Sequence, residues 1–431
     1  MVEIDVTIQE GRYVCPVDHH SAEFADHYRE ILDDLREQAP LVWSPLYGGF
    51  WIVTRFAEVR RLVMDSAALT IAPGPDRTGG NRIPPPPGLK TRPLFVPGEA
   101  DGPDHDAYRM ALNPHFSKER VAELTPMIER HVDGAIDRIL EAGAFDVVQD
   151  LIGPILAGVT SEHLGLEVEN PAALFAAIRD MVAYTPTESS ESNRFDEVSQ
   201  TFSKEWQSVV DLVHDRRMNP REDVVSHLVR WTARLFTDEE VQMMTLNVIL
   251  GSSDSTKSLV SQAMLHLDRD RELRKQLRER SELIPAAVEE FLRFFAVPMG
   301  PCRTATRDID VAGTTIKKGD RVMLSIPAAN HDPAKFPSPG EFSLERGASQ
   351  HLGLGAGPHL CLGNRLAKSI FAITLREVLV RMPDYVVDAD AVVSNRDKGS
   401  ADHYQAVPAG VTANDLRRAS SPDAGSEAPR P

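Results

Sequence analysis

One cysteine of this chain stands in an unusual setting. The stretch reads His351-Leu-Gly-Leu-Gly-Ala-Gly-Pro-His-Leu-Cys361-Leu-Gly-Asn-Arg-Leu-Ala-Lys. Gly353, Gly355 and Gly357 let the backbone turn tightly and lie flat against a large ligand. A helical pattern begins after Gly363, so Cys361 sits just before a helix N-terminus. There the free N–H groups and the helix dipole favour negative charge. This setting is expected to lower the thiol pKa and to provide the thiolate that metals take as a ligand. His359 and Arg365 add donors or positive charge nearby. For a lone cysteine the competing reading is a buried, inert thiol.

A second candidate lies upstream, where the apolar run Val248-Ile-Leu250 meets Gly251-Ser252-Ser253-Asp254-Ser255-Thr256. Glycine and clustered serines weaken a helix, and serine hydroxyls bend it by bonding back to preceding carbonyls. His105 and Arg109 are four residues apart and share a helical face, and both can donate to carboxylates. Glu290 and Arg293, three apart, form a charge pair of a kind common on solvated helix faces.

Together these strings resemble the cytochrome P450 family. Its haem-binding loop reads Phe-Gly-x-Gly-x-His-x-Cys-x-Gly followed by Leu-Ala, and Leu354-Gly355-Ala-Gly357-Pro-His359-Leu-Cys361-Leu-Gly363 with Leu366-Ala367 is similar to it. Leu354 replaces the usual phenylalanine, a change expected to alter the reduction potential or haem tightness, because packing around a metal site tunes it. The resemblance runs through about residues 20–410, with the motifs in the family's order. It implies a mainly α fold with small β-sheets, a single haem-binding domain and haem b (iron protoporphyrin IX) with Cys361 as axial ligand. A thiolate in that place favours O–O cleavage. It also implies that His105, Arg109, Arg303 and His359 hold the haem propionates, that Asp254 relays protons, and that Ser255 takes the place of the usual threonine, with Ser252 in place of a glycine. Glu290, Arg293 and Arg346, with the segment 329–333 between them, would form a structural ion-pair network behind the loop. Cys302 is expected to be a packed bystander. The pocket is expected to be mainly apolar, drawing on Asn247, Leu250, Val297, Met299 and Tyr404, with Asn247 as its polar handle.

The activity implied is that of a monooxygenase oxidising, most simply hydroxylating, a small to medium hydrophobic molecule with O2. Electrons would come from a ferredoxin and an NAD(P)H-dependent ferredoxin reductase, docking near Arg109, Lys118, Arg120 and Arg365. Two alternatives stay open: a peroxygenase with the same haem, and a non-catalytic haem-binding sensor.

The elements that must position these residues are mostly helices. Helical periodicity covers Asp26–Glu37 and Ala57–Met64, with two short strands around a Gly-Gly turn between them. Residues 70–104 are rich in proline and glycine and are expected to form a long loop, of the kind that covers binding sites. From 105 to 290 the pattern is amphipathic helix, broken near 143–153, 185–195 and 216–222. Thr237-Asp-Glu-Glu240 is a capping box, and the helix it starts is expected to run to about Leu267. Short strands are expected at 300–327 and a helix at about 363–382. Residues 1–20 read as an irregular arm, 21–411 as the haem domain, and 412–431, with almost no large apolar residue, as a disordered tail.

The 431 residues carry a net charge of -17, which argues against binding nucleic acid or anionic lipid. Three well-separated cysteines make a disulfide framework unexpected. No run approaches the roughly 20 apolar residues of a membrane helix, and the N-terminus lacks the pattern of a secretory signal, so a soluble, cytoplasmic protein is expected.

Overall fold

The computed structural model describes residues 6–9, 11–85, 94–183, 192–346, 350–395 and 401–419. A seven-stranded sheet runs in the order Thr7–Gln9, Arg12–Val14, Leu41–Ser44, Phe50–Val53, Arg321–Leu324, Cys302–Ala305, Leu69–Thr70. The strands Leu41–Ser44 and Phe50–Val53 are antiparallel, with Trp43 opposite Trp51. Gly49 closes their turn at φ +94°, and a Cβ there would stand 2.2 Å from the Trp43 ring, so both conformation and space require glycine. The N-terminal arm differs from expectation: 7–9 and 12–14 form a hairpin that extends this sheet, because Arg12–Val14 finds a paired edge at Trp43. On its far side, the pairing of Cys302–Ala305 with Arg321–Leu324 fixes the place of Arg303, opposite Val322.

Helices make the larger layer, and their apolar faces share one core with the helix Asn364–Arg381 at its centre. The capping box at Thr237 forms as read, its side chain and that of Glu240 each bonding the other's backbone. The helix it opens is not continuous to Leu267. It runs Asp238–Ser253, breaks at Asp254 (φ -113°), and resumes as Ser255–Arg269. The break has a local cause: the Ser252 and Ser253 hydroxyls donate to the Ile249 and Leu250 carbonyls, each at 2.9 Å. Near 143–153 the interruption is a strand, Ala144–Asp146, and a π-helical turn, Val147–Ile152. The one expected near 185–195 lies largely outside the described residues.

The tail also differs from expectation at its start. Ala413–Ala419 is helical, because Asp415, fully buried, accepts from the Thr412 backbone and hydroxyl and from the Asp384 backbone. Residues 420–431 lie outside the description. Among the described residues no helix is long and apolar enough to cross a membrane.

Candidate active site

The broken helix and the cysteine loop face each other across a cavity of about 540 Å³. The loop is pinned from behind. Cys361 N–H donates to the Leu354 carbonyl at 2.9 Å, and Leu352 N–H to the Asn330 side chain at 2.8 Å. A Cβ on Gly353 would lie 2.4 Å from the Leu292 carbonyl oxygen, and one on Gly357 (φ +68°) 2.9 Å from Met64 Cα. These two glycines therefore serve the packing of the loop on its own protein, where the sequence reading gave them to a ligand. Gly251 and Gly363 are different: both line the cavity with nothing within 4 Å of where a Cβ would stand.

Glu290 and Arg293 are not on a solvated face. Both are fully buried, the carboxylate taking two bonds from the Arg293 guanidinium (2.7 and 2.9 Å) and one each, at 3.1 Å, from Arg346 and the Ser343 backbone N–H. Arg293 also donates to the carbonyls of Asn330, Pro339 and Glu341, and Asn330 carries the connection on to the cysteine loop.

Cys361 lines the cavity. Its side chain is exposed on the cavity side, yet the segments packed around the loop desolvate the thiol and raise its pKa, contrary to expectation, against the Gly363 N–H and the charges of Arg109 and Lys368.

Of the four expected anion-holding residues, the two arginines are available. Arg303 is 3% exposed, donates only to the Asn81 side chain and the Cys302 carbonyl, and has no carboxylate in ion-pair range among the described residues. Burial pushes its pKa down to about 10. Arg109 donates to the Leu360 carbonyl at 3.0 Å and likewise lacks a carboxylate. His359 is engaged: its Nε2 meets Asp101 Oδ1 at 2.8 Å, while His105 packs on its ring at 4.4 Å. Burial would raise the Asp101 pKa, but bonds from His359, the Thr70 hydroxyl and the Ala72 backbone bring it to about 2. The stability this carboxylate lends is in full above about pH 4 and is lost as pH falls toward about 2. Burial and the neighbouring His359 lower the His105 pKa.

Haem would answer these features. A cysteine sulfur stands at the cavity wall, two guanidinium groups lack an anion, and glycines leave room on both faces. Arg303→Leu is expected to weaken haem retention about a hundredfold, since bonds to charged groups contribute about 1.5–3 kcal/mol. Haem transfer to excess apomyoglobin measures it, and an unchanged rate removes Arg303 from the site.

On the broken helix, Asn247, Val248, Gly251, Ser252, Ser255, Thr256 and Leu259 line the cavity, the run of one helical face. Asp254 does not. It sits at the break, about a third exposed, with Lys257 Nζ at 3.8 Å. Leu250 falls off that face and packs into the helical core, and Met299 belongs to a separate apolar cluster that includes Phe24 and Tyr28 of the N-terminal helix. Tyr404 is also away from the lining, whereas Val297 is in it. The Asn247 amide donates one N–H to the Phe95 carbonyl at 2.9 Å, so the long loop fixes its orientation and leaves its oxygen and second N–H for a ligand. Cys302 is buried and its thiol pushed up to about 11, as befits a packed bystander. Thr256, Thr160 and His163 also line the cavity and went unread. The signal for the last two was polar residues on the face of an apolar helix.

A family model described as Cytochrome P450 matches residues 161–382. The chain is 30% identical over 333 residues to the steroid C26-monooxygenase of Mycolicibacterium smegmatis, covering 77% of this chain and 81% of that protein. It is 30% identical to the mycinamicin IV hydroxylase/epoxidase of Micromonospora griseorubida, over 85% and 90% of the two. In fold it is similar to P450BioI, crystallised with an acyl carrier protein ligated to hexadec-9Z-enoic acid, with TM-score 0.81 and 24% identity over 91% and 99% of the chains.

Proposed function

The chain belongs to the cytochrome P450 family and is a haem-thiolate monooxygenase that uses haem b to oxidise hydrophobic substrates, and from this premise we propose that Cys361 is its axial ligand and Ser255 its distal hydroxyl. The observation that carries the assignment is convergence: Cys361, Arg109, Arg303 and Ser255 border one cavity. Haem bound through a thiolate supplies O2 activation and oxygen transfer.

The chain's own residues do the rest. Arg109 and Arg303 would hold the propionates by charge-assisted hydrogen bonds. The Glu290–Arg293–Arg346 network and Asn330 hold the loop that carries Cys361. Ser255 presents a hydroxyl to the cavity as donor or proton carrier. Asp254 reaches it only by leaving Lys257, so its part in proton transfer requires a side-chain rotation. Val248, Val297 and Pro97 give the substrate an apolar wall, and the Asn247 oxygen gives it one acceptor. The substrate proposed is a small to medium hydrophobic molecule, a class that includes the steroids named for one relative.

Electrons are proposed to come from a ferredoxin and its NAD(P)H-dependent reductase in the cytoplasm. Arg109 bonds to Leu360 and Arg120 to Glu123, which leaves Lys118 and Arg365, both exposed, for docking an acidic partner. NADPH consumption with ferredoxin and reductase, stimulated by compounds that shift the Soret band, tests the whole reading. Peroxide-driven turnover without such consumption would replace it with peroxygenase chemistry.

Serine lacks the β-methyl that restricts a threonine rotamer. Ser255→Thr is therefore expected to lower peroxide leakage about threefold, the effect of one better-held hydrogen bond. Peroxide released per NADPH measures it, and no improvement would count against Ser255 in this role.

A further inference from the structure

The helix Gly153–Leu164 lines the cavity with Leu156, Thr160 and His163, spaced four and three residues apart on one side. His163 is 4% exposed and Thr160 2%. Neither ring nitrogen of His163, nor the Thr160 hydroxyl, makes a well-formed hydrogen bond among the described residues, though the His115 backbone stands near enough to His163 to work against the lowering of its pKa. Buried polar atoms almost always have a partner, in protein or in ordered water. The same need continues outward. His115 lies 6.2 Å from His163 between ring centres, and His227 lies 4.5 Å from His115. Nε2 of His115 and Nε2 of His227 are also buried without a partner. His227 reaches the partly exposed Trp231 at 5.1 Å.

Burial keeps all three imidazoles below their usual pKa, His115 and His163 at about 4. The neighbouring His227 and His163 and then Arg120 add to the effect at His115, Arg120 at His163 and Arg230 at His227, while Asp223 opposes it at His115, the His115 backbone at His163 and the Ala111 backbone at His227. The rings are therefore neutral at pH 7, each with one N–H donor and one bare acceptor. The described residues offer no cluster able to hold a metal ion. The 6.2 Å between His115 and His163 is too long for a direct bond and suits one bridging water.

We propose that His227, His115 and His163, bridged by water, form a second proton path into the cavity, arriving beside Thr160. The proposal rests on the monooxygenase reading of that cavity, and it answers the position of Asp254, which stands off the lining beside Lys257. A proton accepted at one nitrogen of His227 is matched by one released from the other, and the same exchange follows at His115 and His163. Each ring ends neutral after a change of tautomer.

The test uses haem-loaded enzyme with ferredoxin, its reductase and NADPH, in H2O and D2O, and measures the share of electrons that ends as water and not as peroxide. His163→Leu, Asp254→Asn and the double variant are compared. Parallel routes make the double variant lose about tenfold more of that share than either single change. A double variant no worse than Asp254→Asn overturns the path, as does a solvent isotope effect that His163→Leu leaves unchanged. His163→Gln separates a proton path from a static water site, since glutamine holds water but does not titrate: the path predicts the leucine phenotype, and full coupling overturns it. A crystal structure of the wild type is expected to show water between His163 and His115, and a dry contact there overturns the proposal whatever the activity. Absence of a thiolate-type carbon-monoxide spectrum in the wild type would instead fail the reading of Cys361, a result distinct from all of these.

Discussion

Cys361→Ser is expected to abolish the red-shifted Soret band of the reduced carbon-monoxide complex and, with it, turnover. Serine keeps the size of the side chain but offers a hard, weakly acidic oxygen in place of a soft thiolate, and the loss of electron push onto iron removes the means of O–O cleavage. The fold should survive. The loop is held by Leu354, Asn330 and the contacts of Gly353 and Gly357, none of which involves the sulfur. Activity is expected to fall by at least about a thousandfold, as for loss of a group on which the chemistry depends. The reduced carbon-monoxide difference spectrum and thermal unfolding, measured together, separate loss of ligand from loss of fold. A wild-type spectrum of the histidine-ligated kind, or a thiolate-type spectrum persisting in the variant, would remove Cys361 from the iron.

Glu290→Gln is expected to be the most damaging substitution for stability, at about 3–5 kcal/mol. Removing one member of a buried ion pair leaves the other charge uncompensated. Here two arginines depend on that carboxylate, and Arg293 is fully buried. Glutamine keeps an acceptor oxygen for only part of the four bonds the carboxylate takes, turns an NH2 toward a guanidinium, and cannot answer either charge. Because Arg293 also gathers the carbonyls of Asn330, Pro339 and Glu341, the disturbance should travel to the cysteine loop, and the variant should be recovered largely without haem. Urea unfolding and the haem-to-protein absorbance ratio measure both effects. A change under about 1 kcal/mol would mean that the network is solvated and acts, if at all, as an ordinary surface pair.

Much of the site was legible in the chain because its chemistry is carried by local strings. The glycines around Cys361, the Gly-Ser-Ser-Asp-Ser break and the Thr237 capping box each act over a few residues, so their spacing carries the information. Expectations that depended on direction failed where direction is set from afar. Asp254 and Ser255 are adjacent, yet the break turns only Ser255 into the cavity. Leu250 lies one step off the lining face, and Met299 is drawn to the N-terminal helix side. His359, read as a donor for a cofactor, does line the cavity, but a carboxylate 258 positions earlier takes its Nε2. Asn247 was read as open to a ligand, and the loop carbonyl of Phe95 takes its amide.

The sequence by itself determined the fold class and the order of the motifs, because helical period, glycine placement and capping are properties of neighbouring residues. Tertiary structure alone decided which side chains meet in the cavity and which charges stay unanswered there. It alone decided the direction of the Cys361 shift, since desolvation depends on every segment that packs around a group and here outweighs the Gly363 N–H and the nearby charges although the side chain is exposed on the cavity side.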